Sequence, residues 1–112
     1  MTEHFDAWAK SSHRAVAVCN DCHAPHNLSG KYATKARNGF WHSFYFTTGR
    51  YPQPLRITPR DSVITEATCR YCHATIVEQI DAPAASAHSP TATPGAATSC
   101  IRCHADVGHL VR

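Results

Sequence analysis

Cys19, Cys22 and His23, in the run CNDCH, set two thiols and an imidazole within five residues, a spacing suited to a metal ion, a disulfide or a thioether-linked prosthetic group. The frame returns as CRYCH at 69–73 and as CIRCH at 100–104. Together the three frames use all six cysteines, Cys19, Cys22, Cys69, Cys72, Cys100 and Cys103. Each is closed by a histidine: His23, His73 and His104. With nine histidines in 112 residues, independent placement would put one after all three pairs only about once in two thousand sequences.

The chemistry that uses every residue of the frame is covalent haem attachment. The two thiols add to the vinyl groups as thioethers, and the adjacent histidine meets the iron as its proximal ligand. Zinc needs four ligands around one ion and gives no reason for a histidine abutting each pair. Six cysteines in three pairs also divide badly into four-cysteine sites. A redox dithiol needs one pair, and disulfides between residues three apart constrain little chain. Three covalently bound haem c groups are therefore expected.

The distal side of each iron draws on His4, His13, His26, His42, His88 and His109. Two histidines on one iron close it to small molecules and suit electron transfer, whereas an open sixth position suits substrate reduction. His13 and His109 flank the first and last frames and are the better placed. His26 stands three residues after His23, where packing competes with ligation. His42 reads equally as a packing histidine and as a ligand. His4 lies near a terminus and His88 in a segment rich in Ala and Pro, which gives both the weaker claim.

The elements that position these frames are mainly helical, with much irregular structure between them. Phe5 and Trp8 share one face of a short helix over 2–12. A turn over 27–30 precedes a helix over 31–46 with a wide aromatic face from Tyr32, Phe40, Trp41, Phe44 and Tyr45. Three prolines over 49–59 predict an irregular loop, and Asp61 or Ser62 then caps a helix carrying the second frame. Residues 81–98 are dominated by Ala, Pro, Ser and Thr and read as a linker or surface loop. No alternating run supports strands. The frames are unequally spaced, so the repetition is of cofactors rather than of structural repeats.

The chain is short, with 9% aromatic and 17% charged residues and seven prolines, and its apolar supply is thin for a core. Three large flat macrocycles would supply that core, making residues 1–112 one small multihaem domain. The net charge of +3 falls far short of the clustered basic faces of nucleic-acid binders, and Lys31, Lys35 and Arg37, its only local basic group, read as a solvated face ahead of a binding patch. No run of eighteen apolar residues occurs, and the first fifteen residues lack the apolar stretch of a secretory signal.

Trp8 followed by Ser11, Ser12 and His13, the runs CNDCHAPHN at 19–27 and GFWH at 39–42 with Lys35, CRYCH, and CIRCHADVGH at 100–109 resemble the membrane-anchored multihaem quinol dehydrogenases of the NapC/NirT type. The small subunit of cytochrome c nitrite reductase is the nearest kind. The resemblance implies four haems and an N-terminal transmembrane helix in the full-length member, with this chain beginning just after the first frame. Met1 is then a candidate for the family's haem-ligand methionine. His13 and His109 are implied as distal ligands, with a partner protein a further source of one ligand. Lys35 is implied as the quinol-site lysine, with Asn38 near the place of the family's acid.

The expected function is transfer of electrons from the membrane quinol pool, menaquinol or ubiquinol, to a periplasmic nitrite or nitrate reductase in anaerobic respiration. The chain would act as an electron-transfer subunit at the periplasmic side of the bacterial inner membrane, with the reductase catalytic subunit as partner. The rival expectation is a catalytic multihaem reductase of a small nitrogen oxyanion with an open haem site.

Overall fold

The computed structural model describes residues 2–80 and 99–109. The expectations for Met1, for His88 and for the loop over 81–98 lie outside the described residues. Those described are helical or irregular, with no strand among them.

Helix α1, Thr2–Lys10, carries Glu3 in its first turn and Lys10 in its last, complementing the helix dipole. It stops where the Ser11 hydroxyl donates to the Trp8 carbonyl oxygen at 2.8 Å, and a 3₁₀ turn, Ser12–Ala15, follows. The Trp8 indole N–H donates to the Ala17 carbonyl oxygen at 3.1 Å, tying α1 to the approach to the first frame. Phe5 and Trp8 do pair, at 5.5 Å between centroids, but Phe5 is 59% exposed and makes no core.

The first frame is itself a short helix, α2, Cys19–His23. Helix α3, Leu28–Thr48, begins earlier than expected: the Asn27 side chain caps it by accepting from the Gly30 N–H at 2.6 Å, so the apparent turn at 27–30 is a capped first turn. It ends at Gly49, whose φ of 67° is the left-handed conformation a helix stop favours. The loop at 50–58 is irregular, as expected.

The cap of α4, Pro59–Cys72, is Thr58 rather than Asp61 or Ser62. Pro59 explains the correction, because its fixed φ and missing N–H suit the first helical position. Asp61 instead becomes the partner of the cap: its N–H donates to Thr58 Oγ1 at 3.2 Å, and the Thr58 hydroxyl donates back to Asp61 Oδ2 at 2.7 Å. Helix α5, Ala74–Ile80, follows directly, and α6, Cys100–Cys103, holds the third frame.

Helix α4 is the centre of the fold, packing against α2, α5 and α6. The Thr68 hydroxyl, 4% exposed, shares its proton between the Thr65 carbonyl oxygen of its own helix at 2.8 Å and the Cys22 carbonyl oxygen at 3.0 Å, and so joins the first two frames. Asn38 of α3 reaches Asp61 of α4 through its side chain, while the backbone of α3 lies apart from those of the other described helices. Its aromatic face forms, but Phe40, Trp41, Phe44 and Tyr45 pack on one another at centroid distances of 5.4 to 6.5 Å and stay exposed. Among the described residues only Ala24, Thr34 and Thr68 are buried, so side chains alone build almost no core.

Candidate haem-binding frames

Each frame adopts the same local geometry. Its two cysteines lie in one helical turn, and its histidine ends that turn: His23 is the last residue of α2, and His73 and His104 are the C-caps of α4 and α6. Backbone bonds from His73 N–H to the Cys69 oxygen, 2.9 Å, and from His104 N–H to the Cys100 oxygen, 2.8 Å, close the turn. Residues at i, i+3 and i+4 of a helix share a face, so both sulfurs and the imidazole of a frame point to one side. All six cysteines are free thiols.

The frames are also close to one another. Burial raises the pKa of the Cys22 thiol, helped by Asp21 and by Cys72 of the second frame. Burial likewise raises that of Cys69, with Cys22 and Glu66 adding to it, and that of Cys100, where Glu66 adds and Cys69 contributes. The cysteines of the first and second frames, and of the second and third, thus lie within electrostatic reach of one another. His26 stacks on Tyr71 at 4.2 Å, with Nε2 4.0 Å from Cys72 Sγ, so it packs at the junction of the first two frames.

Two of the three frame histidines have a second imidazole set against them. The rings of His23 and His109 lie 5.9 Å apart with planes 7° from parallel, and those of His13 and His73 lie 6.2 Å apart at 74°. Two imidazoles bound on opposite sides of one metal, at about 2 Å per bond, have centroids roughly 6 Å apart. His13 and His109 also share a second property: each has a buried Nδ1 without a hydrogen-bond partner, a state that folded proteins rarely tolerate without a further role. No group of three or more His, Cys, Asp or Glu side chains converges among the described residues. Facing imidazole pairs without further protein ligands suit an iron whose other four positions come from a macrocycle, and the frames fit haem c.

The remaining candidates are placed differently. His4 lies edge-on to His109 at 4.9 Å. Among the described residues His104 has no imidazole set against it in this way. His42 and Lys35 are exposed on α3. Asn38, one turn after Lys35, donates from Nδ2 to Asp61 Oδ1 at 3.5 Å. Burial, and then the neighbouring His109, hold the His23 pKa down, while Asp61 works against them. Low proton affinity favours the neutral imidazole that a metal requires.

Three residues with roles at the frames escaped the sequence reading. Thr68 and Asp61 act across long sequence separations. Glu66 on α4 accepts from the Cys100 N–H at 2.8 Å. No local pattern marks such contacts, since each depends on which helices meet.

The chain is similar to the cytochrome c-type protein NrfH of Wolinella succinogenes, 33% identical over 111 residues, covering 97% of this chain and 63% of that protein. It is also similar to the cytochrome c nitrite reductase subunit NrfH of Nitratidesulfovibrio vulgaris, 31% identical over 102 residues, covering 90% of this chain and 57% of that protein. The chain therefore spans less than two thirds of these relatives. Its fold matches a chain in the crystal structure of the cytochrome c nitrite reductase NrfHA complex bound to the HQNO inhibitor, with a TM-score of 0.70, 27% identity, and coverage of 97% of this chain and 67% of that one. Residues 1–112 match, from end to end, the N-terminal region of the NapC/NirT cytochrome c family, and the chain belongs to that family of proteins with covalently bound haem c.

Proposed function

We propose that residues 1–112 form one electron-transfer domain holding three haem c groups. Cys19 and Cys22, Cys69 and Cys72, and Cys100 and Cys103 form the thioethers, and His23, His73 and His104 are the proximal ligands. The observation that carries this reading is the pair of facing imidazoles, His23 with His109 and His13 with His73, at the separation one shared iron requires. It also extends the sequence reading: His109 serves the first frame and His13 the second. His42, exposed on a helix apart from the frames, has the weaker claim to ligation. Met1 keeps the role that the family resemblance gives it.

When bound, haem c supplies one-electron chemistry at iron. The chain's residues would hold and space the groups: the frame sulfurs would attach them, the pairs His23 with His109 and His13 with His73 would hold two of the three irons, and Thr68 fastens α4 to α2. No side chain is assigned acid–base or nucleophilic work. Electrons enter from a quinol, menaquinol or ubiquinol, with Lys35 as the candidate contact. They leave to the catalytic subunit of a periplasmic reductase of the nitrite-reducing kind, as the nitrite reductase subunits among the relatives support. The working place is the periplasmic face of the bacterial inner membrane, where a full-length member carries a membrane anchor and a fourth haem. No helix among the described residues is long and apolar enough to cross a membrane.

A second reading draws on His104. Without a facing imidazole among the described residues, its haem would be open to a small oxyanion, which is what a catalytic reductase needs. Carbon monoxide added to the reduced holoprotein separates the two. An unchanged spectrum supports the closed wire, and a shift confined to one haem favours the open site. Intact mass equal to the polypeptide plus three haems tests the shared premise, and a colourless protein containing zinc would overturn both.

A further inference from the structure

Glu66 joins two frames through one carboxylate. It lies on α4, one turn before Cys69, and reaches the start of α6. Its Oε1 accepts from the Cys100 N–H at 2.8 Å, and its Oε2 from the Ile101 N–H and the Ser99 hydroxyl, both at 3.3 Å. Those two N–H groups are among the donors that a helix start leaves without an intrahelical partner. The Ser99 side chain does not cap α6 itself, so the acceptor that completes the third frame is borrowed from the helix of the second. Arg70, on the next turn of α4, holds the other side of the carboxylate, with Nε 3.5 Å from Oε1.

We propose that Glu66 is a positioning residue for electron passage between the second and third frames: its carboxylate clamps α6 to α4 and sets one fixed negative charge between those two haem sites. This rests on the reading above that both frames carry haem c. Passage between two haems depends on a constant separation, and three hydrogen bonds from the start of α6 end on this carboxylate of α4. The charge acts separately from the geometry. A negative group beside a haem favours the oxidised, more positive state and lowers its reduction potential. Arg70 softens this effect.

The two actions separate in Glu66→Gln and Glu66→Ala variants of the holoprotein. Glutamine removes the charge and keeps one acceptor oxygen, while alanine removes both. Intact mass counts haems, a spectroelectrochemical titration reads the potentials, and amide hydrogen exchange followed by mass spectrometry reads the peptide over 99–104. In both variants one potential should rise. In Glu66→Ala that peptide should also exchange roughly tenfold faster, as expected for loss of charge-assisted hydrogen bonds. Loss of the third haem in Glu66→Ala alone would likewise support the clamp. Wild-type potentials and wild-type exchange in both variants would overturn it. Should the unmutated protein carry no haem at the third frame, the three-haem reading fails by mass, and the exchange data alone still decide the clamp.

Discussion

His23 and His109, from opposite ends of the chain, lie with their rings 5.9 Å apart and within 7° of parallel. The first frame therefore meets the last turn of the described chain, and the proposed ligand pair joins residues that share no local sequence context. The pairing of His13 with His73 follows the same logic at 6.2 Å but with the planes at 74°. If each pair holds a haem iron as proposed, this difference in angle would give the two sites distinct electronic signatures.

Replacing His109 with alanine should convert the haem of the first frame from low spin to high spin, and His13→Ala should do the same to that of the second. Both variants should keep every thioether, since neither residue belongs to a Cys-x-x-Cys-His frame. Near-parallel and near-perpendicular imidazole planes give different low-spin electron paramagnetic resonance signals, so each variant should delete a different one. If both variants delete the same signal, the assignment of ligands to frames is wrong.

Thr68 carries the hydrogen bond between the first and second frames, and valine would keep its shape while removing the hydroxyl. The Cys22 carbonyl oxygen would lose its donor at a site where Thr68 is only 4% exposed. Thr68→Val should lower stability by about 1–2 kcal/mol, read as a lower midpoint in chemical denaturation of the holoprotein. Haem content by mass should not change.

Much of the site was legible because its chemistry is local. A thiol, a second thiol three residues on and a histidine directly after it must share one helical face whatever the fold, so the three frames could be read as they stand. The helices at 2–12 and 31–46 followed from apolar spacing. The start of α4 was misread because Asp61 looks like a cap while Thr58 before Pro59 is the better one, and both meet in the same hydrogen-bonded turn. Which distal histidine faces which frame, and the part played by Glu66, were not legible. Those relations are set by how α2, α4 and α6 meet, and few apolar side chains in the sequence report on it.

Glu66 also predicts an acid-sensitive contact. Burial alone would raise its pKa, but the Cys100 and Ile101 N–H groups and the Ser99 hydroxyl outweigh it and hold the value below the ordinary 4.5. A carboxyl depressed on folding adds stability that is complete above its unfolded value and is lost as pH falls through its folded one. The stability difference between wild type and Glu66→Gln should be constant near neutral pH and shrink below about pH 4.5. Denaturation midpoints measured for both proteins down to pH 3 would show this, and a difference that does not change with pH would contradict it.

Lys35 is where the electron source can be tested. It is exposed on α3, and Asn38, one turn later on the same face, carries Asp61 of α4 at 3.5 Å. A cation and a carboxylate thus border one face of α3, an arrangement able to bind the hydroxyl and carbonyl groups of a quinol. Neither residue contacts the frames through a hydrogen bond among those described. Lys35→Ala should therefore leave haem content, spectrum and reduction by dithionite unchanged, while slowing reduction by a soluble quinol about tenfold, as for loss of roughly 1.4 kcal/mol of binding. Asp61→Asn should act in the same direction while the Thr58 cap is kept, because the amide can still accept from that hydroxyl. Quinol-driven reduction at the wild-type rate in both variants would move quinol entry away from this face.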